Sequence, residues 1–213
     1  APPQPWYGEP VELPVAGDLG SLRIDVARLR RGLAAAGVRV LALRAAVVDA
    51  PDLNAGLDRT GSKAAVNLEA ALRLVDAARR ARPEGHPRVV VDRHGGRTRY
   101  REELARAWAG SRVDVVAERP ELSRYLVRDD AGEATISFAP EADQRHFPVA
   151  LASMTAKLVR ELLMIRLNRY FAGHRPGLRP TAGYFADGTR WIADVESVLE
   201  PLGIVRDELV RRA

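Results

Sequence analysis

Apolar residues recur along this 213-residue chain with two different periods, and the changes between them mark out elements. Between residues 21 and 36, Leu22, Val26, Leu29 and Leu33 return every three or four positions, the spacing of one helical stripe, and Gly37 supplies a stop. Residues 38–48 are a run of Val, Leu and Ala, expected to be a strand. A second helix is expected over 63–82, with Leu68, Leu72 and Val75 on one side. Val89-Val90-Val91, closed by Asp92 and then Gly95-Gly96, has the pattern of a strand buried on both faces. Tyr100, Leu104, Ala107 and Trp108 predict a short helix, and residues 113–117 a strand. Residues 125–127 and 134–138 flank an Asp-Asp-Ala-Gly turn at 129–132 and predict a hairpin. In its second arm Ala134, Ile136 and Phe138 face inward, Thr135 and Ser137 outward. The longest helical pattern runs over 149–171. A loop punctuated by Gly and Pro follows, then a helix with Trp191, Val195 and Leu199 on one side, and a weaker helix over 204–212. Mixed helices and strands make the chain α/β.

Length favours one domain, with the proline-rich residues 1–20 as a linker or junction and 21–213 as the domain. A 46% hydrophobic share excludes wholesale disorder, and 29% charged residues exclude a membrane-embedded chain. No cysteine is present, which excludes disulfides, thiol catalysis and cysteine-bound metal clusters. A reducing, cytoplasmic setting is expected.

Lys+Arg number 33 against Asp+Glu 28, a formal charge of +5. Only Lys63 and Lys157 are lysines, a bias that base composition of the gene explains as well as function does. The distribution is more informative. Residues 88–106 and 157–190 together carry an excess of eight positive charges, so the remainder is net negative. Such concentration suits a polyanion, nucleic acid foremost.

Two places carry candidate chemistry. Asp92 ends a strand, where α/β sheets place ligands, and its carboxylate is a hard oxygen donor suited to Mg²⁺ or Mn²⁺. The alternative is a turn or cap aspartate bonded to nearby backbone. On the long helix, Ser153, Lys157 and Glu161 step by four and share a face, able to hold a metal and a phosphate, or simply to form an i,i+4 ion pair. Leu151, Met154, Leu158, Leu162 and Ile165 form an apolar stripe beside them. Gly95-Gly96-Arg97 suits either an anion nest or an ordinary turn. The four histidines lack metal-ligand spacing, and neither a phosphate-loop lysine nor a serine-hydrolase elbow is present.

The segment Ala150-Leu-Ala-Ser-Met-Thr-Ala-Lys-Leu-Val-Arg-Glu161 resembles the Ala-Ala-Ser-x-x-Ala-Lys-x-x-Arg-Asp helix of the type 2 ribonuclease H family. Asp143-Gln144-Arg145 stands where that family has Gly-Asp-Ser/Ala-Lys/Arg. Thr181-Ala182-Gly183-Tyr184 is similar to its His-Lys-Gly-Tyr loop. Val89-Val90-Val91-Asp92 resembles its strand ending in a metal-binding aspartate, and Pro51-Asp52-Leu53-Asn54 the segment before its first long helix. The matches keep family order across about residues 40–200.

The resemblance implies a ribonuclease H-like mixed sheet flanked by helices. It implies an endonuclease that hydrolyses the RNA strand of RNA–DNA hybrids with two divalent ions, Mg²⁺ or Mn²⁺, about 4 Å apart. Asp92 and Glu161 would be the metal ligands and catalytic carboxylates. Ser153 and Lys157 would hold phosphate oxygens, Tyr184 would pack near the sugar, and Arg97 would add a phosphate contact. A monomer without membrane contact is expected. Two departures stand out: Glu161 replaces the family aspartate, and the opening Asp-Glu-x-Gly-Arg-Gly strand has no counterpart. Since that strand is central to the family sheet, the expectation is an N-terminally truncated member of a divergent branch. The alternative is a non-catalytic nucleic-acid-binding module on the same scaffold.

Overall fold

The computed structural model describes residues 4–81, 85–130 and 132–212. They form two compact units, one of residues 44–156 with 206–213 and one of residues 1–43 with 157–205.

The first unit is built on a four-stranded mixed sheet, which makes the fold α/β. Its strands are β1 (Arg88–Asp92), β2 (Arg112–Arg119), β3 (Leu122–Asp129) and β4 (Gly132–Ala139), in the order β1-β4-β3-β2. β2, β3 and β4 run antiparallel in sequence, and β1 adds to β4 in parallel with Val90 opposite Ser137. The hairpin between β3 and β4 is as expected, with Asp129 opposite Gly132; Ala131 of its turn lies outside the described residues. Alternation sends Ala134, Ile136 and Phe138 into the core, together with Tyr125 and Val127 of β3 and Val113 of β2. Against this face pack Leu68, Leu72 and Val75 of one helix, Lys63–Arg80. Tyr100, Leu104 and Trp108, in and around a second, Arg101–Ala107, join them. Tyr100 and Phe138 stack with ring centroids 3.8 Å apart, and the Tyr125 hydroxyl accepts from the Tyr100 N–H at 2.8 Å while donating to Glu118. Arg79 is buried beside Trp108 and pairs with Asp76 and Asp129, so its charge is matched where water is excluded.

A helix over Ala50–Thr60, which periodicity does not reveal, completes the unit. Gly56 lets it approach the next helix closely, since a Cβ there would stand 2.6 Å from Val66. Buried Asn54 binds the end of the chain by donating to the Asp207 and Val210 carbonyls and accepting from the Arg212 N–H. Residues 204–212 therefore run as an irregular strap with one short turn, Arg206–Glu208, not as the expected helix. β1 also departs from expectation: it is an edge strand and only half-buried, because no strand among the described residues pairs with its outer side.

In the second unit, Trp6, Phe171, Trp191, Val195 and Leu199 are buried. They come from an N-terminal turn (Pro5–Gly8), the C-terminal part of the long helix Phe147–His174, and the helix Phe185–Leu199. Trp6 meets Tyr170 and Phe171, and Arg166 and Arg169 donate to the Tyr7 and Pro10 carbonyls. Residues 4–10 are docked by these contacts; Ala1, Pro2 and Pro3 lie outside the described residues.

Of the two expectations about residues 19–48, the helix forms (Leu19–Ala35) and the strand does not. The stripe of that helix is open: Leu22, Val26 and Leu29 are 41%, 38% and 54% exposed. Residues 38–48 form no strand, because no strand among the described residues offers the hydrogen bonds a strand requires. The apolar stripe of the long helix is likewise open at Met154 and Leu158. Among the described residues no helix is long and apolar enough to cross a membrane.

Candidate functional site

The loop of residues 181–184 is assembled from one side chain at each end. Asn168 brackets Thr181 twice, donating to its carbonyl at 2.8 Å and accepting from its N–H at 2.9 Å. Asp187, in the first turn of the helix Phe185–Leu199, accepts from the Thr181 hydroxyl at 2.6 Å and the Ala182 N–H at 2.8 Å, and pairs with Arg190. These partners, the Thr181 hydroxyl first and then Arg190 and the Ala182 N–H, hold the Asp187 carboxyl well below the usual carboxylate range. Gly183 sits at φ +75°, and a Cβ there would press on Met164, so the turn requires glycine.

This loop delivers Tyr184 and Phe185 to the surface, 67% and 93% exposed. Arg160 supports it from the long helix. One of its amines donates to the Ala182 carbonyl, the other to Glu161 at 2.8 Å, and the guanidinium lies 5.1 Å from the Tyr184 ring centroid. Lys157, exposed and three residues before Arg160, shares that helical face. Three residues singled out from the sequence, Lys157, Glu161 and Tyr184, therefore belong to one unit, with Arg160 and Phe185 as members the sequence reading missed. The Gly-Tyr-Phe order at a helix start was the available signal for Phe185. Arg160 lies inside the quoted helix motif, but its bond to Ala182 spans 22 residues and leaves no local trace.

The remaining candidates lie in the sheet unit. Ser153 is half-buried on the earlier part of the long helix. Asp92 accepts from the Ala142 N–H at 3.0 Å, tying the end of β1 to the turn that precedes the long helix. That is a backbone-bonded aspartate, with its partner Ala142 fifty residues further along the chain. Arg97 pairs with Glu103 and leans over the Tyr100 ring at 5.9 Å. The i,i+4 pair between Lys157 and Glu161 is not made, because Arg160 takes Glu161.

Many arginines of the two basic segments are spent on the fold. Arg93, Arg166, Arg169 and Arg190 each donate to backbone carbonyls, and Arg97 and Arg190 also pair with acids. Formal charge in the sequence thus overstates the charge available to a ligand. Among the described residues no group of three or more His, Asp or Glu side chains is placed to hold a metal ion. No family model, curated protein or solved structure matches this chain.

Proposed function

We propose that this chain binds nucleic acid, with unpaired bases stacking on Tyr184 and Phe185 while Lys157 faces the phosphates and Arg160 backs the Tyr184 ring. One observation carries the reading: two large aromatic side chains stand in solvent on a loop that is otherwise firmly braced, with a guanidinium beside one ring. Exposed aromatics next to cations are the chemistry of single-strand recognition, because every base has a face to stack and every linkage a charge. Bracing by Asn168 and Asp187 means little order is lost when a base arrives. This is the binding module, on the scaffold that the motif resemblance reads as ribonuclease H-like.

Hydrolysis of the RNA strand of a hybrid is the second reading, favoured by Asp92 at the C-terminal end of a strand with one carboxylate oxygen bonded to backbone. Mg²⁺ or Mn²⁺ belongs to it alone. Asp92 belongs to the sheet unit and Glu161 to the other, and among the described residues no group of three or more His, Asp or Glu side chains is placed to hold a metal ion.

Fluorescence anisotropy with labelled single-stranded RNA, single-stranded DNA and an RNA–DNA hybrid tests the proposal. Tyr184→Ala and Phe185→Ala should each weaken binding roughly five- to hundredfold, the worth of one stacked base. Lys157→Gln should flatten the salt dependence by about one counterion. Binding that is absent at low salt, or unchanged in the aromatic double variant, overturns it. Mg²⁺- or Mn²⁺-dependent cleavage of the hybrid that Asp92→Asn abolishes would establish the second reading instead.

A further inference from the structure

The face of the sheet turned away from the aromatic core holds a concavity of about 590 Å³, within the range of small-ligand sites. Its floor is apolar, from Val90 of β1, Val116 of β2 and Leu126 of β3. A β-bulge between Val115 and Ala117 leaves Val116 without a cross-strand partner and puts it on this wall. Around the floor stand Arg88, Arg124, His86 and His146, with the hydroxyls of Thr135 and Ser137. Among the described residues no carboxylate lines it, although the chain carries 28 acidic residues.

The polar groups are already oriented. Arg124 donates its Nε to the buried Ser137 hydroxyl at 3.2 Å, which fixes the plane of the guanidinium and leaves its terminal amines without an acceptor among the described residues. Arg88 forms no ion pair among the described residues. His86 is held by the Thr135 hydroxyl at 2.6 Å on one ring nitrogen and by Glu133 at 3.0 Å on the other; Glu133 also pairs with Arg128. These two arginines contrast with those of the candidate interface and the core, which are satisfied by carbonyls and carboxylates. Two unspent guanidiniums over an apolar floor match a ligand with a compact, doubly charged oxyanion at one end and an apolar body at the other. A planar fork binds phosphate oxygens in pairs, which an ammonium cannot do.

We propose that this concavity binds a small phosphate monoester whose organic part is of nucleoside size, the phosphate meeting Arg88 and Arg124 and the body lying on Val90, Val116 and Leu126. The concavity belongs to the sheet unit and the loop of Tyr184 to the other, and the proposal holds whether or not that loop binds nucleic acid.

Isothermal titration of the whole chain with 5′-AMP, adenosine and inorganic phosphate tests it. 5′-AMP should bind saturably, inorganic phosphate at least tenfold more weakly for want of the floor, and adenosine without measurable heat. Arg88→Gln and Arg124→Gln should each cost tenfold or more in 5′-AMP affinity, as expected for hydrogen bonds to a charged group. Val116→Glu, at a 58% exposed position, should abolish binding by setting a carboxylate beside the phosphate. Thermal melts confirm that each variant is folded. Binding of 5′-AMP no tighter than adenosine, or unaffected in the folded Arg88/Arg124 double variant, overturns the proposal. So does an oligonucleotide that needs both arginines when 5′-AMP does not bind.

Discussion

The sheet core and the stretch from residue 19 to residue 47 contain apolar patterns of comparable regularity, yet only one of them is buried. Tyr125, Val127, Ile136 and Phe138 are wholly inaccessible, while Leu22, Val26, Leu29, Val40, Leu41 and Leu43 all stand in solvent. The helix Leu19–Ala35 forms nonetheless, because its ends are encoded locally. Asp18 caps it by accepting from the Ser21 N–H at 2.9 Å and hydroxyl at 2.6 Å. At the other end Gly37, at φ +65°, lets the Val38 N–H reach the Leu33 carbonyl and its own N–H reach that of Ala34. A strand has no such local provision. Residues 38–48 hold the composition of one, but a strand's hydrogen bonds go to another strand, and none among the described residues pairs with them. Periodicity thus defines which face is apolar; whether that face is covered depends on a neighbour.

The largest expected effect lies at the centre of the covered region. Phe138 is fully buried, stacks on Tyr100 and meets Tyr125 and His94 edge-on. Phe138→Ala removes that surface and leaves a cavity that flanking strands cannot close, a loss of about 3–5 kcal/mol. Urea denaturation should show the midpoint falling with little change in slope.

This contrast also explains what was legible in the sequence. The alternation of Ala134, Ile136 and Phe138 and the stripes of Leu68, Leu72, Val75 and of Trp191, Val195, Leu199 could be read because each has a single covered face. Val89-Val90-Val91 misled: three consecutive β-branched residues suggest burial on both faces, but β1 is at an edge and stays half-open. Of the candidate site, Lys157 and Tyr184 were visible through motif spacing. The Arg160 bond to Ala182, the brace from Asn168 and the Ala142 partner of Asp92 were not, since each joins residues 13 to 50 positions apart. Net charge misled for the same reason, because a carbonyl acceptor leaves no mark in composition.

A smaller effect separates the two regions by pH. Burial, and next the nearby Arg97, push the His94 imidazole below its ordinary value, so it is neutral in the fold. An unfolded histidine titrates near 6.5, so below that pH the unfolded chain takes up a proton the folded chain resists. Stability from this group is therefore complete above about pH 6.5 and declines as pH falls toward the folded value. His94→Gln should flatten that decline, seen as urea midpoints that vary less between pH 7 and pH 5 than those of the parent. An unchanged pH slope would assign the acid sensitivity to other groups.

The smallest effect is expected on the open helix, where it bears most directly on the comparison. Leu29 is 54% exposed and sits mid-helix, so Leu29→Ala gives up little buried area and gains slightly in helix propensity. The two terms oppose, and the urea midpoint should move by no more than about 0.5 kcal/mol in stability, against several for Phe138→Ala. Asp18→Ala sharpens the point, because it removes a cap and leaves every apolar contact intact. Its cost should fall on local opening of the helix and leave the sheet core unaltered. Amide exchange resolves the two: faster exchange over residues 21–35 with the β3 and β4 amides unchanged. A Leu29→Ala loss approaching that of Phe138→Ala would mean the stripe is covered in solution, and the contrast between the two regions would fail.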